Sequence, residues 1–572
     1  DIIPGLTFTP ALSWFTTEGK EEYYTAYNVT NKNRNASAKH NLDTHLQTDA
    51  LLNYEKTIGD NHHFNVLLGS SYMKDYAFDM SGSGYDAPTD YITTLNATAD
   101  VTQLASTTES NDVLMSYFGR VNYDYAKKYL FSASVRKDGS SRFAKDHKWG
   151  VFPGVSAGWN MHMENFWAPL KPVISQFKLR ASWGQAGNNL LTIDDSQGEY
   201  STGYNYLGEV GILNTTLANN ALVWETTTSL DFGADIGLWD NRISLLLDYY
   251  NKLTSNRLFS KPLDAATGFS SIKSNYGSIR NTGVEVELGV TPVKTRDFSW
   301  NFSFTFAYNK GVVNKLPANG EAKNRTGGNY VYNPKDKAYE KVGGFAEGER
   351  FGQRWAFDMI GVYPTDASAQ DAPYDVDAAG RQKIGGDAIW KDLDGNDTID
   401  NRDMVFMGYI HPDIQGGMVN TVTYKNLSLR VVMDYATGFV IDNGFRARTD
   451  GSARNNMQTL TDVIGNDIWK KQGDEGKKYP RYTVQSDVDY NWHNYLRSAN
   501  GIGNSGYASN SSLFYSSGNF LAFREVSLSY HLTTEALKKA SIQSIDLFAG
   551  VYNLGYLTKY DGLDPEIYTG AD

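Results

Sequence analysis

The chain is 572 residues long, carries a formal charge of −12 and contains no cysteine. The missing thiols exclude a disulfide framework, a thiolate metal site and a cysteine nucleophile, and the acidic balance argues against a nucleic-acid binder, which needs a basic stripe to displace phosphate counterions. Aromatic content is 13% while mean hydropathy is −0.47, the balance of a sheet with one wet face and one greasy face.

No run of about 18 apolar residues occurs, so no helix of membrane-spanning character is expected. Period-2 alternation runs through the chain instead. Leu42, Leu46, Ala50, Leu52 and Tyr54 oppose Asp43, His45, Gln47, Asp49, Asn53 and Glu55. A tight turn, Gly59-Asp60-Asn61, follows. His62 and His63 beside it read as wet turn residues, because no third metal ligand is close in sequence. A long polar excursion near 76–111 leads to a second tight turn, Ala126-Lys127-Lys128. Gly154-Val155-Ser156-Ala157-Gly158 matches the G-x-S-x-G pattern of a hydrolase nucleophile. That chemistry needs a strand-to-helix turn, whereas strand patterning here runs on to Trp159, so small residues in a curved strand are the expectation.

Phe177, Leu179, Ala181 and Trp183 oppose Lys178, Arg180 and Ser182, ahead of an excursion near 186–221. Trp224, Leu230, Phe232, Ala234, Ile236 and Leu238 then oppose Glu225, Asp231 and Asp235, up to the turn Trp239-Asp240-Asn241. The strongest pattern is Phe298, Trp300, Phe302, Phe304, Phe306 and Tyr308 against Ser299, Asn301, Ser303, Thr305, Ala307 and Asn309. Eleven residues at ~3.3 Å each span about 36 Å, far beyond an ordinary globular strand. Six aromatic rings in register are an aggregation hazard in water and suit a face in hydrocarbon. Excursions near 313–345 and 361–412 follow, then the turn Tyr424-Lys425-Asn426. Leu427, Leu429, Val431, Met433 and Tyr435 oppose Ser428, Arg430 and Asp434, and an excursion near 441–517 comes next. Thr534 caps a short helix over Glu535–Lys539 between two late strands.

Tight turns alternate with long excursions, as in a barrel with short periplasmic turns and long outer loops. The expected fold is all-β, a transmembrane antiparallel β-barrel with about 16 strands in this chain. No repeat of 20–50 residues appears, which argues against propellers and solenoids. The sequons at Asn28, Asn301 and Asn426 carry no weight, since Asn301 lies inside a strand.

One loop carries metal chemistry in its spacing. Asp392, Asp394, Asn396, Asp400 and Asp403 supply oxygens at positions 1, 3, 5, 9 and 12, and Thr398 supplies a carbonyl at position 7. Closely spaced carboxylates repel unless a cation neutralises them, so a structural Ca²⁺ is expected. Asp397 replaces the usual glycine at position 6 and Asp403 the usual glutamate at position 12. A solvated acidic turn is the plainer alternative. In the excursions, Tyr204, Tyr206, Tyr330, Tyr332, Tyr490, Trp492 and Tyr495 stand among polar residues. Such rings suit sugar faces or peptide side chains, and equally the internal packing of long loops.

Four ordered segments resemble the SusC/RagA family of TonB-dependent transporters. The first is Ser134-Val135-Arg136-Lys137-Asp138-Gly139-Ser140-Ser141-Arg142-Phe143, with Trp149-Gly150-Val151-Phe152-Pro153 and Ser156-Ala157-Gly158-Trp159 after it. The second is Lys178-Leu179-Arg180-Ala181-Ser182-Trp183-Gly184-Gln185 with Gly187-Asn188-Asn189. The third runs from Trp224-Glu225-Thr226-Thr227 to Gly277-Ser278-Ile279-Arg280-Asn281-Thr282-Gly283-Val284-Glu285. The last joins Asn553-Leu554 and Thr558-Lys559-Tyr560 to Asp564-Pro565-Glu566.

The resemblance implies a 22-stranded plugged barrel of the Gram-negative outer membrane, set in its lipid and powered by TonB–ExbB–ExbD. It also implies a SusD-like lipoprotein lid and a cargo of oligosaccharides or peptides. The family's N-terminal extension, TonB box, plug and aromatic-ended final strand are not among residues 1–572, so a partial chain is expected, all of it barrel. On this reading nothing is catalysed and no organic cofactor is needed. The rival readings are an outer-membrane barrel hydrolase built on Ser156, and a secreted β-sandwich adhesin or glycan-binding module.

Overall fold

Strand length follows from unbroken alternation, and the computed structural model has fifteen long strands that succeed one another in the main sheet in chain order. It describes residues 3–30, 32–192, 195–376, 381–451, 467–482, 494 and 510–566. The strands are β1 (Leu6–Thr25), β2 (Asn35–Ile58), β3 (His62–Tyr85), β4 (Leu104–Tyr125), β5 (Tyr129–Ser140), β6 (Trp149–Asn160), β7 (Ile174–Asn188) and β8 (Glu225–Leu238). They continue with β9 (Ile243–Ser255), β10 (Ser278–Lys294), β11 (Phe298–Lys315), β12 (Ile414–Tyr424), β13 (Leu427–Thr437), β14 (Phe520–Leu532) and β15 (Ile545–Thr558). The other sheets among the described residues have two strands each and lie within the excursions. Two compact units divide the chain: residues 1–171, 177–233 and 250–278 form one, and 172–176, 234–249 and 279–572 the other.

The four expected tight turns all join neighbouring strands. Ala126 and Lys127 between β4 and β5 adopt φ of 51° and 57°. Positive φ at both central residues gives the turn whose twist matches the flanking strands. Thr534 caps the Glu535–Lys539 helix, its side chain accepting the Leu537 N–H.

In the first unit, antiparallel register sets two kinds of row. Leu52, Leu68, Gly119, Val135 and Pro153 are successive partners across β2 to β6. Three positions along β2, on the other face, the row is Glu55, Asn65, Asn122, Ser132, Ser156 and Ser182. Asn65 Nδ2 donates to Glu55 Oε1 at 2.9 Å, and Ser132 Oγ to Asn122 Oδ1 at 2.7 Å. Polar side chains that would be isolated in hydrocarbon are thus stitched together along this row.

The second unit repeats the separation. Phe304, Met418, Met433 and Phe523 form one row, while Thr305, Gly417, Asp434 and Ala522 form the adjacent one on the opposite face. Phe302, Phe304 and Phe306 are each partly exposed.

The apolar clusters draw mainly on the excursions, with Phe152 of β6 and Ala436 of β13 joining two of them. Val331, Phe357, Trp390, Ile399 and Met404 are buried together between β11 and β12. Each large side chain buried in this way contributes about 1.5–3 kcal/mol.

Two expectations need correction, whereas the fifteen strands of the main sheet among the described residues agree with the expected number of about sixteen. The first excursion is shorter than expected: β3 runs to Tyr85 and β4 begins at Leu104. Backbone pairing does not depend on side-chain polarity, so polar sequence there still pairs. Trp224 does not belong to the apolar wall. It is 8% exposed, 5.1 Å from the Phe143 ring and 5.6 Å from the Phe152 ring, and its indole N–H donates to the Lys148 carbonyl at 3.1 Å. It lies one residue before β8, where alternation no longer governs direction.

Candidate functional site

The acidic loop of residues 392–403 is held by its own backbone. Asp392 accepts the N–H of Gly395 at 2.8 Å and of Asp397 at 2.9 Å. Asn396 accepts the Thr398 N–H at 2.8 Å and donates its amide to Asp394 at 3.0 Å. Asp397 adopts φ 58°, the left-handed conformation that aspartate tolerates better than most residues. Thr398–Ile399 then pairs in parallel with Tyr374–Asp375.

Of the four acids among the expected ligands, three converge. One oxygen each from Asp392, Asp394 and Asp403 lies within 4.8 Å of the others. Asp400 is turned away: its carboxylate takes Arg402 Nε at 2.9 Å and a terminal guanidinium nitrogen at 2.6 Å. Asp403 is 1% exposed and accepts the N–H groups of Leu393 at 2.8 Å and Asp400 at 2.9 Å. Burial pushes its carboxyl above the usual carboxylate range; those two N–H bonds oppose the shift, and the neighbouring Asp394 and Asp392 reinforce it. Three acids at this spacing suit a hard divalent cation with oxygen ligands.

A hairpin braces the loop. Asn329–Asn333 pairs with Ala338–Val342, and Tyr339 donates its hydroxyl to Asp394 at 2.8 Å. Tyr332 packs edge-on to Tyr339 with centroids 5.5 Å apart. Tyr330 is 56% exposed, with Lys341 Nζ 5.6 Å from its ring centre. Within this unit, then, two of the expected aromatic positions share one hairpin: Tyr332 packs within it and Tyr330 stays open. Tyr204 is half-exposed on a separate hairpin, Glu199–Tyr206 with Glu209–Thr216, which also carries Tyr206. Tyr490, Trp492 and Tyr495 lie outside the described residues.

Ser156 sits in mid-strand, facing Ser132 and Ser182, without the strand-to-helix turn that G-x-S-x-G chemistry requires. His62 and His63 are adjacent in β3 and therefore point to opposite faces. His62 Nδ1 meets the Tyr123 hydroxyl at 2.9 Å, and His63 Nδ1 meets Thr57 Oγ1 at 2.9 Å.

A cavity of about 530 Å³ was not foreseen. Leu246, Asp248, Glu285, Glu287, Gln415 and Asp434 are among its lining residues. Arg524 holds Asp434 at 2.7 Å and also pairs with Glu566. The i, i+2 acids Glu285 and Glu287 between Val284, Val286 and Leu288 were the available signal.

The family model "TonB dependent receptor-like, beta-barrel" matches residues 5–405. TonB-dependent receptor P39 of Formosa agariphila is 29% identical, over 99% of this chain and 54% of its own length. TonB-dependent receptor SusC of Bacteroides thetaiotaomicron is 26% identical, over 92% of this chain and 48% of its own. The chain spans about half the length of the curated relatives it matches. Among solved structures, the RagAB peptide transporter superposes with a TM-score of 0.75 at 20% identity, over 99% of this chain and 58% of that one, which speaks for the fold alone. Each of these proteins is named as a receptor or a transporter.

Proposed function

The chain belongs to the TonB dependent receptor-like β-barrel family, and on that premise we propose that it forms the pore wall of an outer-membrane nutrient importer. One observation carries the reading. Antiparallel register puts Phe304, Met418, Met433 and Phe523 on one face and Thr305 and Asp434 on the other. Hydrocarbon suits the first set and a water-filled passage the second.

The work of such a wall is non-covalent. Loop side chains gather an oligosaccharide or peptide through many weak contacts, together with a SusD-like surface lipoprotein. TonB–ExbB–ExbD supplies the work of release through a plug. The names of two relatives, both TonB-dependent receptors and one of them SusC, support this assignment.

The two faces are testable because the chain has no cysteine. In the full-length protein in intact outer membranes, S303C should react with a small hydrophilic maleimide and F304C should not. Equal labelling of both would remove the reading. Uptake of a cognate solute should also cease when the TonB system is uncoupled.

We propose also that the 392–403 loop takes a structural Ca²⁺. Asp392, Asp394 and Asp403 would hold it, with Asn396 and the Thr398 carbonyl as further oxygens. The ion would brace a long excursion. The support is the convergence of three carboxylates on one point, which costs free energy when nothing neutralises them.

A further inference from the structure

A second cavity in the same unit has the opposite electrical character. It is open on one side and has a volume of about 500 Å³, within the size range of small-solute sites. Among the described residues its charged lining is Lys477, Lys478, Lys559 and Asp561. Asp561 is already engaged, 3.4 Å from an Arg446 guanidinium nitrogen. Lys477 interacts with the Asp474 carboxylate. Lys478 Nζ lies 5.0 Å from the Tyr479 ring centre. Lys478 and Lys559 are both exposed at the rim.

Positive charge gathered in this way is not a by-product of composition, since the chain as a whole is at −12. Like charges brought to one concavity repel unless an anion lies between them. A further feature points to a ligand. Ile360 and Phe514 add apolar wall beside the cations, the surface that a carbon skeleton needs.

We propose that this cavity is a subsite for the anionic group, carboxylate or sulfate ester, of a transported solute. Lys478 and Lys559 hold the charge, and the apolar wall receives the adjoining carbons. This inference rests on the importer reading and deepens it: it selects acidic over neutral solutes.

The test uses the full-length protein in detergent and titration calorimetry. One probe is oligogalacturonate and its counterpart is the neutral methyl ester of the same oligomer. Inorganic sulfate serves as the competitor for the sulfate arm. Wild type should bind the acid at least tenfold more tightly than the ester, and sulfate should compete. K478Q/K559Q should bring the two affinities within twofold. K127Q, a control in the β4–β5 turn that does not line the cavity, should change nothing. Equal affinity for acid and ester overturns the proposal, as does no binding of either the acid or sulfate, or an equal loss in K127Q. If the S303C and F304C labelling pattern stands while anion binding fails, the subsite falls and the importer remains. If that pattern fails, both fall.

Discussion

Tyr339 and Asp394, 55 residues apart, are joined by a 2.8 Å hydrogen bond that ties an exposed hairpin to the acidic loop. The bond keeps the Tyr339 hydroxyl protonated beyond its ordinary range, chiefly because the carboxylate accepts its hydrogen. Tyr339→Phe keeps the ring packing on Tyr332 and deletes only this link. Hydrogen exchange at residues 329–342 and 392–403 should rise together; a change confined to one of them would show that the two segments are not coupled.

The cation proposal has a definite pH sign. Asp403 has a folded-state pKa above its unfolded value. Its contribution to metal-free stability is therefore present below the unfolded value, near 3.8, and is lost as pH rises through the folded one. Calcium reverses this, because it binds the deprotonated form. Protection of the loop by Ca²⁺ should therefore grow with pH and be absent at acid pH. Terbium luminescence on the full-length protein, displaced by Ca²⁺, measures it. A pH-independent signal would place the ion elsewhere.

Asp403→Asn should damage the loop even without metal. Both carboxylate oxygens accept backbone N–H groups, from Leu393 and Asp400. An asparagine amide meets one of those donors with another donor. The cost should be about 1–3 kcal/mol, read as faster proteolysis within 381–411.

Arg325 and Glu349 give a second pH dependence, of opposite sign. Arg325 is 7% exposed and holds Glu349 at 2.6 Å. Burial alone would raise the Glu349 carboxyl, but Lys323 and Arg325 outweigh it and keep the carboxyl below the usual range. This contribution is present above the unfolded value of about 4.5 and is lost as pH falls through the lower folded one. Glu349→Gln should remove that acid-side loss and destabilise the segment by about 1.5–3 kcal/mol at neutral pH. Exchange rates over 323–349 at two pH values check both.

The two faces differ in what they tolerate. Phe304→Arg puts a charge into the apolar row and should cost about 2–4 kcal/mol if it lies near mid-membrane. Ser303→Arg, one residue earlier, faces the wet row beside Val419 and Val432 and should fold normally. Heat-modifiable gel mobility of the full-length protein reports assembly. The reverse order of severity would invert the assignment of faces.

Much of the architecture was legible in local pattern. Alternation from Phe298 to Asn309 placed β11 and its faces, because a strand repeats every two residues and needs no distant information. The tight turns and the Thr534 cap were legible for the same reason: their chemistry is complete within four to six residues of sequence. The convergence of Asp392, Asp394 and Asp403 was legible too, since a twelve-residue loop brings its own carboxylates together.

What chain order could not disclose was which distant residues become neighbours. Asp400 belongs to the same spacing rule, yet Arg402 captures it. Trp224 fits the alternation and is nevertheless buried against Phe143 and Phe152. The cationic cavity draws Ile360, Lys478, Ser516 and Lys559 from segments up to 199 residues apart. Local sequence fixes φ, ψ and the direction of alternate side chains, whereas convergence of charge depends on long-range register and loop packing, and those exist only once the chain has folded.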